Sequence, residues 1–184
     1  YRLGGSEIVC AGLDEPTKAY GTAWGLIVVE EAIEISLNSW ELFGSAARDP
    51  KLRRAAEVAA FPYHQQIAIT NPGPPGHWLN RRASAPPAGI TAVQSYDDWL
   101  RLKRWNLGAQ AGVMRRLIGV HQDNPVMFDV RRWRWTEEGE KYLRRLGSMT
   151  GHRRARMLEG RWCAAEGSVF GADFEETRNT CRKF

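Results

Sequence analysis

At 184 residues, with 43% hydrophobic and 26% charged side chains, the chain has the make-up of a soluble globular protein, with room for one domain or one domain and an appendage. No apolar run approaches the ~20 residues that a membrane-spanning helix needs, and no membrane partner is expected. The net charge of +5 is uneven: residues 1–60 hold 6 Lys/Arg against 9 Asp/Glu, a balance of −3, and residues 61–184 hold 20 against 12, a balance of +8. A basic half favours a polyanionic partner, most simply nucleic acid, beside the plainer reading of a solvated, salt-bridged surface.

The chain opens at Tyr1 without Met and within ten residues reads like the inside of a domain, as a fragment of a longer protein would. Ser6 to Ala11 reads as a strand after a Gly4-Gly5 turn, broken by Gly12-Leu13-Asp14-Glu15-Pro16. Lys18-Ala19-Tyr20-Gly21 leads into Leu26-Ile27-Val28-Val29-Glu30-Glu31-Ala32. Its four apolar residues predict a short strand buried on both faces, with two adjacent acids at its carboxyl end. Two strands roughly 20 residues apart, joined by a polar stretch, suit neighbours in a mostly parallel sheet. Ser36 is placed to cap a helix running to about Ala47, with Trp40, Phe43 and Ala47 on one face. Arg48 to Arg54 is a charged exit. Gln66 to Thr70 predicts a third strand, stopped by Asn71-Pro72-Gly73-Pro74-Pro75-Gly76. Proline cannot donate to a ladder and pushes the preceding residue away from helix, so Thr70 and Asn71 are delivered to the strand's carboxyl tip.

Trp78 to Gln122 is the least legible part. Ala85-Pro86-Pro87-Ala88-Gly89 is a loop, Tyr96 to Leu107 carries Trp99, Leu102 and Trp105 at helical spacing, and Val113 to Val120 reads as a strand or a short helix. Trp133 and Trp135 alternate with Arg132 and Arg134: stacking on bases is one use of such a pattern, and an edge strand with one buried face explains it better. Thr136-Glu137-Glu138 opens a helix whose last turn, before Gly147, carries Lys141, Arg144 and Arg145, an order that complements the helix dipole. Thr150 is expected to cap a second short helix that Gly160 ends.

The acids and the third strand tip are where chemistry is expected. Ligands in open α/β sheets collect past the carboxyl ends of strands, and an apolar strand ending in acids is how P-loop ATPases present a Mg²⁺ partner and a water-activating base. In that arrangement Glu30 faces Mg²⁺, directly or through water. Glu31 points the other way and polarises the attacking water. Thr70 and Asn71 offer a hydroxyl and an amide suited to sensing a γ-phosphate. The bland alternative is a core strand meeting solvent. No Gly-x-x-x-x-Gly-Lys-Ser/Thr occurs in the chain, so these residues alone do not cradle a triphosphate. Cys10, Cys163 and Cys181 lack Cys-x-x-Cys spacing and the four histidines are scattered singly, so neither set makes a zinc site and a reducing compartment fits best.

The order of motifs resembles a known family. Ser6-Glu7-Ile8 with Gly12-Leu13, then Leu26 to Ala32, then Ile69-Thr70-Asn71-Pro72 with His77-Trp78, look like the ATPase domain of a tailed-phage terminase large subunit. Asp123-Asn124-Pro125, Tyr142-Leu143-Arg144-Arg145-Leu146, Thr150-Gly151, Arg156-Met157-Leu158-Glu159-Gly160-Arg161-Trp162 and Glu166-Gly167 are similar to that family's linker between ATPase and nuclease domains. The resemblance implies an α/β fold: a partial P-loop NTPase (RecA-like) sheet with flanking helices over residues 1–125, then a small helical linker over 126–184 towards a nuclease domain outside the chain. It implies ATP and Mg²⁺ as cofactors, with Glu31 as the catalytic glutamate, Glu30 as the Mg²⁺ acid, and Thr70 and Asn71 as the motif coupling hydrolysis to DNA movement. The family commonly has Asp at the position of Glu30. His77 and Trp78 match family positions; Arg48 stands where relatives often carry an arginine, although a surface salt bridge is the plainer use of it. Implied partners are double-stranded DNA, the portal protein, the terminase small subunit and further copies in a ring on the procapsid, in the host cytoplasm. The alternative expectation is a non-enzymatic basic nucleic-acid-binding module whose apolar strand and acids are structural.

Overall fold

The computed structural model describes residues 2–3, 6–12, 22–48, 64–111 and 113–165. The break at 13–16, the lead-in at 18–21, most of the charged exit after Arg48, and Glu166-Gly167 lie outside the described residues. The chain is mixed α/β, with small sheets and several helices, and falls into two compact units, residues 1–70 and 71–184. The boundary expected at 125/126 falls inside the second unit.

In the first unit, strand β1 (Arg2–Leu3) pairs antiparallel with β2 (Ser6–Glu7), Arg2 opposite Glu7. The strand expected over Ser6 to Ala11 is therefore shorter, and its neighbour is the segment before it. A partner only a few residues back is reached at much lower loop-closure cost than a strand 20 residues away; the Gly4-Gly5 turn expected there lies outside the described residues. Strand β3 (Leu26–Val29) pairs in parallel with β4 (Gln65–Ala68), Leu26 opposite Gln65 and Val29 opposite Ala68. Between them in sequence runs helix α1 (Leu37–Ala46). Ser36 caps it, its Oγ accepting from the Ser39 N–H at 3.0 Å. Trp40, Phe43 and Ala46 are buried at three-residue spacing; Ala46 replaces the expected Ala47, which is the C-cap, and exposed Arg48 lies beyond the helix.

Helix and sheet approach closely at Gly44, where a Cβ would sit 2.9 Å from Gln66 Oε1. The Gln66 side chain in turn donates to the Trp40 carbonyl at 2.7 Å. Ile27, Val29, Gln66 and Ala68 form the better-covered face of the pair. The expectation that β3 is buried on both faces is corrected: Val29 is buried, but Leu26 and Val28 are 52% and 50% exposed, and Ile67 and Ile69 beside them are open too. Apolar composition shows that a strand can be covered on two sides; only the neighbouring elements decide whether it is.

In the second unit, helix α2 (Trp78–Arg82) buries Leu79, and helix α3 (Tyr96–Leu107) buries Leu102 completely. A capping box starts α3: Ser95 Oγ accepts from the Asp98 N–H, and Asp98 accepts from the Ser95 N–H at 3.0 Å. The Ser95 side chain, the Arg101 guanidinium and the Gln94 N–H hold the Asp98 carboxyl down at about 2. Asp123 ties α3 to the short 3₁₀ turn His121–Asp123, accepting from Trp99 Nε1 at 2.7 Å, Lys103 Nζ at 2.5 Å and the Val120 N–H at 2.9 Å. Burial works against its ionisation, but these donors outweigh it and keep the carboxyl below its ordinary value.

Val113 to Val120 forms neither the strand nor the helix expected. Apart from one parallel bridge between Ala83 and Met114, the segment is held by side chains. Asn106 brackets Ile118, donating to its carbonyl and accepting its N–H, and Gln110 does the same for Arg116. Amides from the last turn of α3 and the loop after it thus take the place of a partner strand. Strands β5 (Phe128–Asp129) and β6 (Arg134–Trp135) then form an antiparallel hairpin that leads into helix α4 (Glu137–Gly147). Thr136 caps α4 through the Gly139 N–H at 3.1 Å. Gly139 itself is required by space, because a Cβ there would lie 2.0 Å from the Met127 carbonyl oxygen. Thr150 takes the N-cap position of helix α5 (Gly151–Met157), but its side chain makes no capping bond, and the helix stops three residues short of Gly160.

Candidate functional site

The parallel pairing of β3 and β4 puts the carboxyl ends of both strands at one edge of the first unit. The ladder continues past the strands: the Ile69 N–H donates to the Val29 carbonyl at 2.9 Å, and the Ala32 N–H donates to the Ile69 carbonyl at 3.0 Å. Glu30 and Glu31 are thereby bracketed by two backbone bonds to the residue that precedes Thr70. Both glutamates are exposed, and Thr70 is half-buried. Asn71 follows Thr70 directly and opens the second unit, where it is exposed.

Glu31 has φ 49° and ψ 43°, the left-handed region, and precedes a 3₁₀ turn Ala32–Glu34 whose first residue is buried. For a residue with a Cβ this conformation costs on the order of 1–2 kcal/mol. The chain must turn out of β3 at once to bury Ala32 and begin α1, and Glu31 absorbs the bend. Sequence alternation does not anticipate this strained turn; a glycine would have announced it, and none is there.

The oxygen donors at this edge, two carboxylates and a hydroxyl, have the hardness Mg²⁺ prefers. That ion commonly takes one or two carboxylates and completes its shell with water and substrate phosphate. Among the described residues no three His, Cys, Asp or Glu side chains gather into a cage of their own. A single-acid site that relies on a phosphate partner is the arrangement these residues fit.

In the second unit the loop after Asn71 is anchored. Cys163 donates its N–H to the Gly73 carbonyl at 3.0 Å, and Arg156 chelates the Cys163 carbonyl through Nε and Nη2 at 3.1 and 2.6 Å. His77 caps α2, its Nδ1 accepting from the Leu79 N–H at 3.2 Å, and its ring stacks on Trp162 with centroids 6.4 Å apart. The Arg116 guanidinium, whose pKa burial lowers, lies over the same Trp162 ring at 5.9 Å and bonds both oxygens of Asn80. This gives His77 and Trp162 a physical role that motif order alone does not supply: they clamp the loop downstream of Thr70-Asn71 to the segment after α5. The signal available in sequence was only the presence of the aromatic residues, since pairing across some 85 positions leaves no local trace.

No helix among the described residues is long and apolar enough to cross a membrane. No protein-family model, curated protein or solved structure matches the chain.

Proposed function

We propose that the chain supplies the acid and coupling strands of a viral DNA-packaging ATPase of the terminase large subunit kind, hydrolysing ATP to drive double-stranded DNA into a procapsid. The observation that carries the reading is the shared edge: parallel strands end together, so that an acidic pair and a threonine stand beside one another past their carboxyl tips. The strain at Glu31 supports it, since a non-glycine residue kept in the left-handed region points to a side chain retained for use.

In this reading Glu30 would hold Mg²⁺, directly or through a bound water, and the ion would supply neutralisation of phosphate charge. Glu31 orients the attacking water and accepts its proton. Thr70 and Asn71 exchange hydrogen bonds as the γ-phosphate leaves, and the Gly73–Cys163 clamp conveys the change to residues 126–184, the linker towards a nuclease. Further copies in a ring, the portal protein and the terminase small subunit are its proposed partners, in the host cytoplasm. The triphosphate loop is supplied from outside these 184 residues, which contain none.

The test joins the chain to its flanking coding sequence and measures Mg-ATP binding and turnover separately. Glu31→Gln is expected to lower turnover on the order of a hundredfold or more while leaving nucleotide affinity nearly unchanged. Equal loss of both would make Glu31 a structural residue and favour the second reading, a non-enzymatic basic nucleic-acid-binding module, for which the +8 balance of residues 61–184 speaks.

A further inference from the structure

The turn between β5 and β6 carries Arg131 and Arg132, and Arg134 follows on β6; all three are exposed. Arg132 alone has a nearby acid, Asp129, at 3.7 Å, while Arg131 and Arg134 have no carboxylate within ion-pair distance among the described residues. The turn is built to hold them out. Asp129 Oδ1 accepts from the backbone N–H of both Arg131 and Arg132, at 3.0 and 3.1 Å. Trp133 sits at φ 51°, an outlying conformation for so bulky a residue. Its ring meets Phe128 edge-on at 4.9 Å and Tyr96 at 5.7 Å, and Trp135 meets Phe128 at 4.8 Å. Both tryptophans are half-buried, with their rings engaged by Phe128. What the hairpin offers outward is three guanidiniums on a backbone fixed in advance, and a fixed donor loses less entropy on binding. Glu137 and Glu138 follow at the start of α4, and Glu137 is paired with Lys141 at 2.6 Å.

We infer that the arginine turn of the β5–β6 hairpin is a contact surface for the phosphate backbone of double-stranded DNA, sequence-independent and electrostatic. Guanidiniums on a fixed turn, beside tryptophan rings already engaged by Phe128, fit a duplex backbone; single strands are gripped by stacking as well. The partner is the one in the proposed reading, but the surface is separate from the strand-tip acids.

The experiment uses the whole chain and a short fluorescent duplex of mixed sequence, followed by anisotropy between about 50 and 200 mM salt. Substituting Arg131, Arg132 and Arg134 together by Ala is expected to flatten the log–log salt slope by about 2–3 and to weaken low-salt binding on the order of tenfold or more. The triple Lys variant should restore most of the slope, since a phosphate contact reads charge. Removing the same charge from α4, as K141A/R144A/R145A, should leave the slope nearly unchanged; Lys141 and Arg144 are paired within the helix and Arg145 lies over Tyr142. Equal losses in the two Ala triples would overturn the inference, as would loss of binding to anionic vesicles with duplex binding intact. Should the Ala triple misfold by near-ultraviolet circular dichroism, R134A alone carries the test, with a slope change of about 1. An unaltered hairpin dependence in an ATPase-dead chain would uphold the inference while the proposed activity fails; catalysis by Glu31 without hairpin-dependent binding would do the reverse.

Discussion

The β3–β4 pair and the β5–β6 hairpin with α4 solve the same problem, covering a two-stranded ribbon, in different ways. Most of the hairpin's cover comes from within about 20 residues, with Tyr96 of α3 added against Trp133. Phe128 lies at 4% exposure between two tryptophan edges, Thr136 caps the helix, and Gly139 lets α4 close on the Met127 carbonyl. The parallel pair is covered on one side by α1 and leaves Leu26, Val28, Ile67 and Ile69 in the open. A structure covered chiefly by near neighbours needs few remote ones, whereas a parallel ribbon depends on them. The region that carries the candidate chemistry is the less complete of the two.

The sharpest way to break this comparison is at the centre of the hairpin. F128A removes the ring on which both tryptophans rest and is expected to cost about 3–5 kcal/mol, measured by urea unfolding with tryptophan fluorescence as the probe. A loss under about 1 kcal/mol would mean that Trp133 and Trp135 do not depend on Phe128, and the hairpin would no longer count as a closed unit.

A smaller effect of opposite sign is expected at Glu31. Glycine adopts the left-handed region without a Cβ penalty, although it loses more chain entropy on folding. With φ at 49° the first effect prevails, and E31G should stabilise the first unit by about 1 kcal/mol. E31Q keeps the strain and should leave stability within about 0.5 kcal/mol of the parent. Thermal unfolding of the two variants side by side separates backbone from side chain. A destabilised E31G would show that this turn is not held in the left-handed region, and would withdraw the support that strain lends to Glu31 as a working residue.

What was readable in the sequence follows the same division. Ser36, Thr136 and the α3 periodicity of Trp99 and Leu102 announce helices because caps and spacing are local signals. The alternation of Trp133 and Trp135 with arginines predicts an edge strand with one buried face; only Arg134–Trp135 is strand, Trp133 lies in the turn, and both rings are half-buried against Phe128. The strand tips at 30–31 and 70 were legible as acids and polar residues after apolar runs, and the parallel pairing brings them to one edge. What failed was the choice of partner. Ser6–Glu7 found a local hairpin partner, Val113 to Val120 was fixed by Asn106 and Gln110 side chains six to twelve residues back, and Leu26 and Val28 stayed uncovered. Apolar pattern and turn residues show that a segment can pair or be covered, but not which group does it.

The least disruptive prediction concerns that uncovered face. Val28 is 50% exposed on β3, with its side chain on the open side. V28T keeps the β-branched shape and adds one hydroxyl, so in the chain as it stands it should change stability by less than about 0.5 kcal/mol. If the face were covered by apolar neighbours, the same hydroxyl would be buried without a partner and cost about 1–3 kcal/mol. Measuring V28T first in these 184 residues and then in the chain extended by its flanking sequence turns one substitution into a probe of completion. A rise in cost on extension would locate cover from flanking sequence on this face of the acid-bearing strand. An unchanged, near-zero cost in both would mean that the β3–β4 ribbon stays open with flanking sequence present, and that its contrast with the hairpin belongs to the fold itself.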